Sequence, residues 1–180
     1  SNAHEDAIAR LVTAVGKYWI CKRTAQHAAE AMECIGGSGV MEDSPFPRLY
    51  REAPVNAIWE GSGNIQCLDV LRAVKKEPAV LEAFFVELDK AQSANAILDR
   101  YIQALKSEFA NPVDLEFRSR NLVDRMALAI QAALLVQHAP VYVADAYCAS
   151  RLSGEGDRMF GSLPSGTACA AIIERATPRA

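Results

Sequence analysis

The sequence reads as an all-α fold, an antiparallel helical bundle with short connections. Three observations support this. Apolar residues recur at helical spacing from one end of the chain to the other. Clusters of Gly, Pro and Asn interrupt that spacing where helices would end. No stretch reads as a β-strand.

The first helical face holds Ile8, Leu11, Val12, Val15, Tyr18 and Trp19 and continues through Ala25, Ala29 and Met32. It is expected to stop at Gly36-Gly37, where glycine permits a left-handed exit. Residues 36–63 read as mostly irregular, because Gly36, Gly37, Gly39, Pro45, Pro47, Pro54, Gly61 and Gly63 fall among them. A new helix is predicted from Ser62 to Asn64 onward, through Leu68, Leu71 and Val74, with Pro78 beyond its end. Leu81, Phe84, Phe85 and Leu88 form a short stripe. Ile97, Leu98, Tyr101, Ile102, Leu105 and Phe109 form another, closed by Asn111-Pro112. The next face carries Leu115, Leu122, Val123, Met126, Ala129, Ile130, Ala133 and Leu134. Pro140 restarts the pattern with Val141, Ala144, Tyr147 and Cys148. Gly154, Gly156, Gly161 and Pro164 mark a loop before a last helix around Ala168 to Glu174.

The chain has 180 residues, enough for a sizeable core. It is 51% hydrophobic and 23% charged, with a net charge of −3, so no global basic signal points to nucleic acid or an anionic membrane. No apolar run is long enough to cross a bilayer. Ser1-Asn2-Ala3 reads as the scar of a removed tag and carries no fold information. The five cysteines, Cys21, Cys34, Cys67, Cys148 and Cys169, are odd in number, widely spaced and free of any CxxC pair. That pattern argues against a disulfide framework and against zinc, and suits a reducing cytoplasm. His4, His27 and His138 stand alone, without metal-ligand spacing. No metal site is expected.

The stretch that carries chemistry is 32–74, MECIGGSGVMEDSPFPRLYREAPVNAIWEGSGNIQCLDVLRAV. It holds two glycine-rich turns, each beside a helix end. The second, Glu60-Gly61-Ser62-Gly63-Asn64, precedes a predicted helix N-terminus, where free backbone N–H groups can hold a phosphate or the polar edge of a cofactor. Taken alone these features are weak. Most glycine pairs after a helix are C-caps, and most turn glutamates are solvated.

The order Ile35-Gly36-Gly37-Ser38-Gly39, then Arg51-Glu52-Ala53-Pro54, then Ile58-Trp59-Glu60-Gly61-Ser62-Gly63-Asn64-Ile65-Gln66 resembles the C-terminal domain of the acyl-CoA dehydrogenases. The likeness covers about residues 5–76. The phrases PRLYREAPVNAIWEGSGNIQCLDVLR and ICKR, and a long helical extension after residue 76, resemble the AidB-like branch, which is associated with the bacterial response to DNA alkylation. The expected organisation is residues 4–76 as the C-terminal-like region and 77–180 as the extension.

The resemblance implies a flavoprotein oxidoreductase that uses FAD on an acyl-CoA thioester. The family's catalytic base falls on Glu60. A carboxylate in a water-poor, flavin-roofed slot is more basic than one in water. Trp59 and Gly61 fall on substrate-side positions, Trp59 as a wall of the flavin pocket. Ser62, Gly63 and Asn64 match positions that contact FAD just after the base. Glu33, Cys34, Ile35, Gly36 and Gly37 match the segment approaching the adenosine end of an FAD bound mainly by a neighbouring subunit, which implies a homo-oligomer. The family usually has glutamine where Glu33 stands, and a carboxylate beside a pyrophosphate is unfavourable. Its alternatives are bonding to the ribose or plain solvation. Arg48 and Arg51 are expected to pair with Glu52 or Asp43, with little energetic effect. The family's N-terminal helical and β-barrel domains, which carry most flavin contacts, have no counterpart in these residues, so the expectation is a fragment that is inactive alone. The AidB-like branch also implies duplex DNA as a partner of the extension. Arg118, Arg120 and Arg125 form the local basic group there, but Asp114, Glu116 and Asp124 lace the same stretch.

Overall fold

A computed structural model describes residues 2–154 and 160–178. Ser1 and Gly156 lie outside the described residues. The elements are α1 (Ala3–Ile35), a 3-10 turn (Gly36–Val40), α2 (Phe46–Asn56), α3 (Gly63–Lys76), α4 (Ala79–Asp89), α5 (Ala96–Ala110), α6 (Leu115–His138), α7 (Val141–Arg151) and α8 (Cys169–Ala176). The described residues contain no strand. The all-α expectation holds.

The chain falls into two compact units, Ser1–Phe84 with Pro112–Ala127, and Phe85–Asn111 with Leu128–Ala180. In the first, α1 is the spine: α2, α3 and the 3-10 turn all lie against it. Leu11, Ala14, Val15 and Tyr18 supply its buried edge. Ala53 of α2, Cys67, Val70 and Ala73 of α3, and Leu122, Val123 and Met126 of α6 are buried as well. The apolar face of α3 therefore centres on Cys67, Val70 and Ala73, one residue earlier than the predicted Leu68, Leu71 and Val74, which are half-buried. In the second unit, Leu88, Leu98, Ile102, Leu105, Ala129, Ala133, Ala144 and Cys148 are buried. Leu134 and Val141, both expected on inner faces, are exposed.

Two termini show how side chains set element ends. Asn2 caps α1 by accepting from the His4 N–H at 3.2 Å, so a residue set aside as a scar takes part in the fold. Asn95 caps α5 by accepting from Ile97 N–H at 3.0 Å and Leu98 N–H at 3.2 Å.

The main departure from the sequence reading is α2, which fills a stretch expected to be irregular. Its prolines do not prevent it. Pro47 sits in the first turn, where a backbone N–H has no helical partner to lose. Pro54 sits near the end, so it removes one late bond. Arg51 of α2 forms a two-pronged pair with Glu42, at 2.6 and 3.1 Å, rather than with Asp43. That guanidinium holds the Glu42 carboxyl below its ordinary pKa. Arg48 pairs with Glu52 as expected, at 3.1 Å.

Candidate functional site

The first glycine turn begins where α1 ends. Gly36 has φ +73 and its N–H bonds the Glu33 carbonyl, which closes the helix. Glu33, Cys34, Ile35, Gly36 and Gly37 are all exposed. A cleft of about 510 Å³ opens here, with Met32, Glu33, Gly36, Gly37, Val40 and Tyr50 among its walls. The structure thus brings Glu33, Gly36 and Gly37 around one concavity, while Cys34 and Ile35 are not among the residues that line it. Met32 of α1 and Tyr50 of α2 complete it; the sequence reading gave neither of them a role at the site.

The glycines of this turn differ in purpose. A Cβ on Gly36 or Gly37 would meet nothing within 4 Å, so both leave open space beside the cleft. A Cβ on Gly39 would run into the Met32 carbonyl, so Gly39 is there for close packing of backbone on backbone.

The second turn follows α2. Lys17 of α1 donates to the Asn56 carbonyl and ties down the end of that helix. The chain then passes through Trp59, which is 58% exposed, to Glu60. Glu60 is exposed and adopts a left-handed φ of +53, and Gly61 follows at +99. Ser62 is the N-cap of α3 but makes no side-chain capping bond. The first N–H groups of α3 therefore receive no capping bond from the Ser62 side chain. Gln66, in the first turns of α3, donates from its side chain to the Glu60 carbonyl at 2.8 Å.

Gly63 stands apart from its neighbours. It is buried, and a Cβ there would lie 2.6 Å from Lys22 Cε and 3.3 Å from the Tyr18 ring. Its side-chain direction is taken up by Lys22 and Tyr18 of α1. Ser62 and Asn64 are exposed. Beneath them, Tyr18 and Cys67 are buried. Burial raises the Tyr18 pKa despite a bond from Arg120, and pushes the Cys67 thiol up to about 11.

These features suit an FAD. Two open glycines beside a cleft give room for close approach, and an uncapped helix N-terminus offers donors to a polar or anionic group. The Glu33 carboxylate in the cleft wall is the one group that disfavours a pyrophosphate there.

Residues 1–75 match the family model described as the acyl-CoA dehydrogenase C-terminal domain. Those residues belong to the acyl-CoA dehydrogenase family. Its relatives include AidB of Escherichia coli (strain K12), 38% identical over 87% of this chain and 28% of that protein. Acyl-CoA dehydrogenase family member 11 of Caenorhabditis elegans is 30% identical over 75% of this chain and 25% of that protein. The crystal structure of Caenorhabditis elegans ACDH-11 in complex with C11-CoA superposes with a TM-score of 0.75 at 25% identity, covering 99% of this chain and 35% of that one. The chain thus spans about a quarter of the length of these curated relatives. The matched segment includes both glycine turns.

Elsewhere, no group of three or more potential metal ligands occurs among the described residues. No described helix is long and apolar enough to cross a membrane. In the basic group, Arg118 donates to the Val113 carbonyl at 2.9–3.0 Å, and Arg120 bonds Tyr18.

Proposed function

We propose that this chain is the C-terminal helical part of a cytoplasmic, homo-oligomeric acyl-CoA dehydrogenase that desaturates an acyl-CoA thioester at its α and β carbons, with Glu60 as the base. The observation that carries this reading is the placement of Glu60. It sits in an exposed left-handed turn directly before the uncapped N-terminus of α3, inside the segment that matches the family. A relative of the same fold is described in complex with C11-CoA, which favours a thioester substrate.

Bound FAD supplies the hydride acceptor for the β-carbon. The chain supplies the rest. Glu60 takes the α-proton on a carboxylate oxygen. Trp59 walls the slot and excludes water, which strengthens the carboxylate as a base. Gly61 presents no side chain to the reacting atoms. The N–H groups of Gly63 and Asn64, with the Ser62 hydroxyl, would hold the polar edge of a bound flavin. The cleft with Glu33, Gly36 and Gly37 serves the adenosine end of an FAD from a neighbouring subunit, flanked by Cys34 and Ile35. Residues 4–76 carry these groups, and 77–180 form the extension. Duplex DNA is the weaker reading, since Arg118 and Arg120 are turned to partners within the protein.

The deciding experiment is Glu60→Gln in the full-length flavoprotein, assayed with an acyl-CoA and an artificial electron acceptor. The expected result is retained yellow flavin with turnover reduced by about 1,000-fold or more, since removing a base removes its general-base contribution and leaves no substitute. Undiminished turnover rules out Glu60 as the base.

A further inference from the structure

Gln66 belongs to the motif that starts at Trp59, yet the chemistry proposed for that motif gives it no part. Its side chain turns back over the loop leading into its own helix. The Nε2 amide donates to the Glu60 carbonyl at 2.8 Å and reaches the Gly61 carbonyl at 3.5 Å. Those two carbonyls belong to the two consecutive left-handed residues of the loop. For a residue with a side chain, such a conformation persists only where the surroundings over-determine it. A Cβ on Gly61 would lie 2.7 Å from the same Nε2, so the amide fills the space that Gly61 leaves empty. At the other end, Lys17 fixes the Asn56 carbonyl, and the Ile58 and Trp59 N–H groups bond the Val55 carbonyl at 3.0 and 3.2 Å. The backbone on both sides of Glu60 is thus held, and its side chain is left as the free part.

The chemistry of the tie is specific. Both partners are carbonyl oxygens, so residue 66 has to donate. A primary amide does so without charge, and a carboxylate of the same shape does not.

We propose that Gln66 is the positioning residue for Glu60: its amide locks the left-handed Glu60-Gly61 turn and thereby sets the direction in which the Glu60 carboxylate leaves the chain. This rests on Glu60 being the base. A base misplaced by about an ångström costs on the order of 100-fold in rate while substrate binding is spared. The effect should therefore fall on kcat rather than KM.

The test uses Gln66→Glu and Gln66→Met in the full-length flavoprotein, beside Glu60→Gln. Both Gln66 variants should keep their flavin absorbance, keep KM within about twofold, and lose kcat by about 10- to 100-fold. A role confined to stability would instead lower flavin content or melting temperature and leave kcat per flavin unchanged; that result overturns the proposal. A second measurement, on the 180-residue chain, does not depend on catalysis. A glutamate-specific protease should cut after Glu60 several-fold faster in Gln66→Met than in the parent, relative to cutting after Glu174. Equal rates at Glu60 show that the turn is not held by Gln66 and also overturn the proposal. Full turnover in Glu60→Gln sinks the base assignment and this inference together. Full turnover in Gln66→Met beside an inactive Glu60→Gln sinks the inference alone.

Discussion

Alanine at Gly36, Gly37 and Gly39 should give three different results, because the three glycines meet different surroundings. Gly39→Ala presses a methyl group into a backbone carbonyl that cannot turn away. It should cost about 1–3 kcal/mol, read as a lower urea midpoint. Gly36→Ala has room but the wrong φ, and should cost about 1–3 kcal/mol through strain. Gly37→Ala has room and no positive φ, so stability should hold within about 0.5 kcal/mol. In the full-length protein it should still weaken flavin retention, because the new methyl group stands where the adenosine end is proposed to approach. Unchanged flavin retention in Gly37→Ala would remove this turn from the cofactor site. The thiols offer a separate test. Burial pushes Cys67 and Cys148 up to about 11, from an ordinary value of 9.0. In the unfolded chain these thiols lose their protons near pH 9, while the folded chain keeps them. Their contribution to stability is therefore fully present below pH 9 and is lost as the pH rises from about 9 to 11. At pH 8 a thiol-specific reagent should label the exposed Cys34 and Cys169 quickly and spare Cys67 and Cys148 until the chain unfolds.

At the scale of elements, the helices whose sequences carry both a stripe and a stop signal were legible. α1 ends at Gly36 and α3 begins after Ser62, both as the residues suggest. α2 was not legible, because three prolines and the flanking glycines outweigh its short apolar pattern. What the sequence does not display is the position of each proline along the helix, and that position decides whether a hydrogen bond is lost. The one-residue phase error on α3 has a similar origin. Leu68, Leu71 and Val74 are more apolar than Cys67, Val70 and Ala73, yet the smaller residues face α1, which lies close enough to need Gly63. Caps are a cleaner prediction. Asn95 holds two N–H groups of α5 and also donates to Asp145 at 3.1 Å. Asn95→Ala should lower stability by about 1 kcal/mol, as measured by thermal unfolding.

For the whole molecule, the residues of the candidate site were legible as a motif, and their arrangement was not. Nothing in the sequence shows that Tyr50 and Met32 wall the cleft beside Gly37, or that Gly63 packs on Lys22 while Ser62 and Asn64 stay open. Those are contacts between elements distant in sequence, and residue type alone does not encode them. The chain also exposes Val40, Met41, Leu49, Tyr50, Ile58, Trp59 and Ile65 around the two turns. Isolated, it should bind FAD weakly. A few neutral hydrogen bonds, at about 0.5–1.5 kcal/mol each, do not offset the several kcal/mol lost on association. A fluorescence titration giving a sub-micromolar Kd would contradict this. The same exposed apolar surface should make the chain self-associate in sedimentation runs at rising concentration.

The length of α1 has one more consequence. The helix spans 33 residues, yet its buried residues end at Tyr18. The remaining turns up to Ile35 ride on partial cover, with Gly39 seated against Met32 near their far end. In heavy water, backbone amides should record that gradient. Protection from deuterium uptake should be greatest between Leu11 and Tyr18 and fade toward Cys34, with a local rise at Met32. The turn proposed to meet the adenosine end is thus mounted on the part of the helix expected to open most readily, and a ligand that closes the cleft should be seen first as slowed deuterium uptake there.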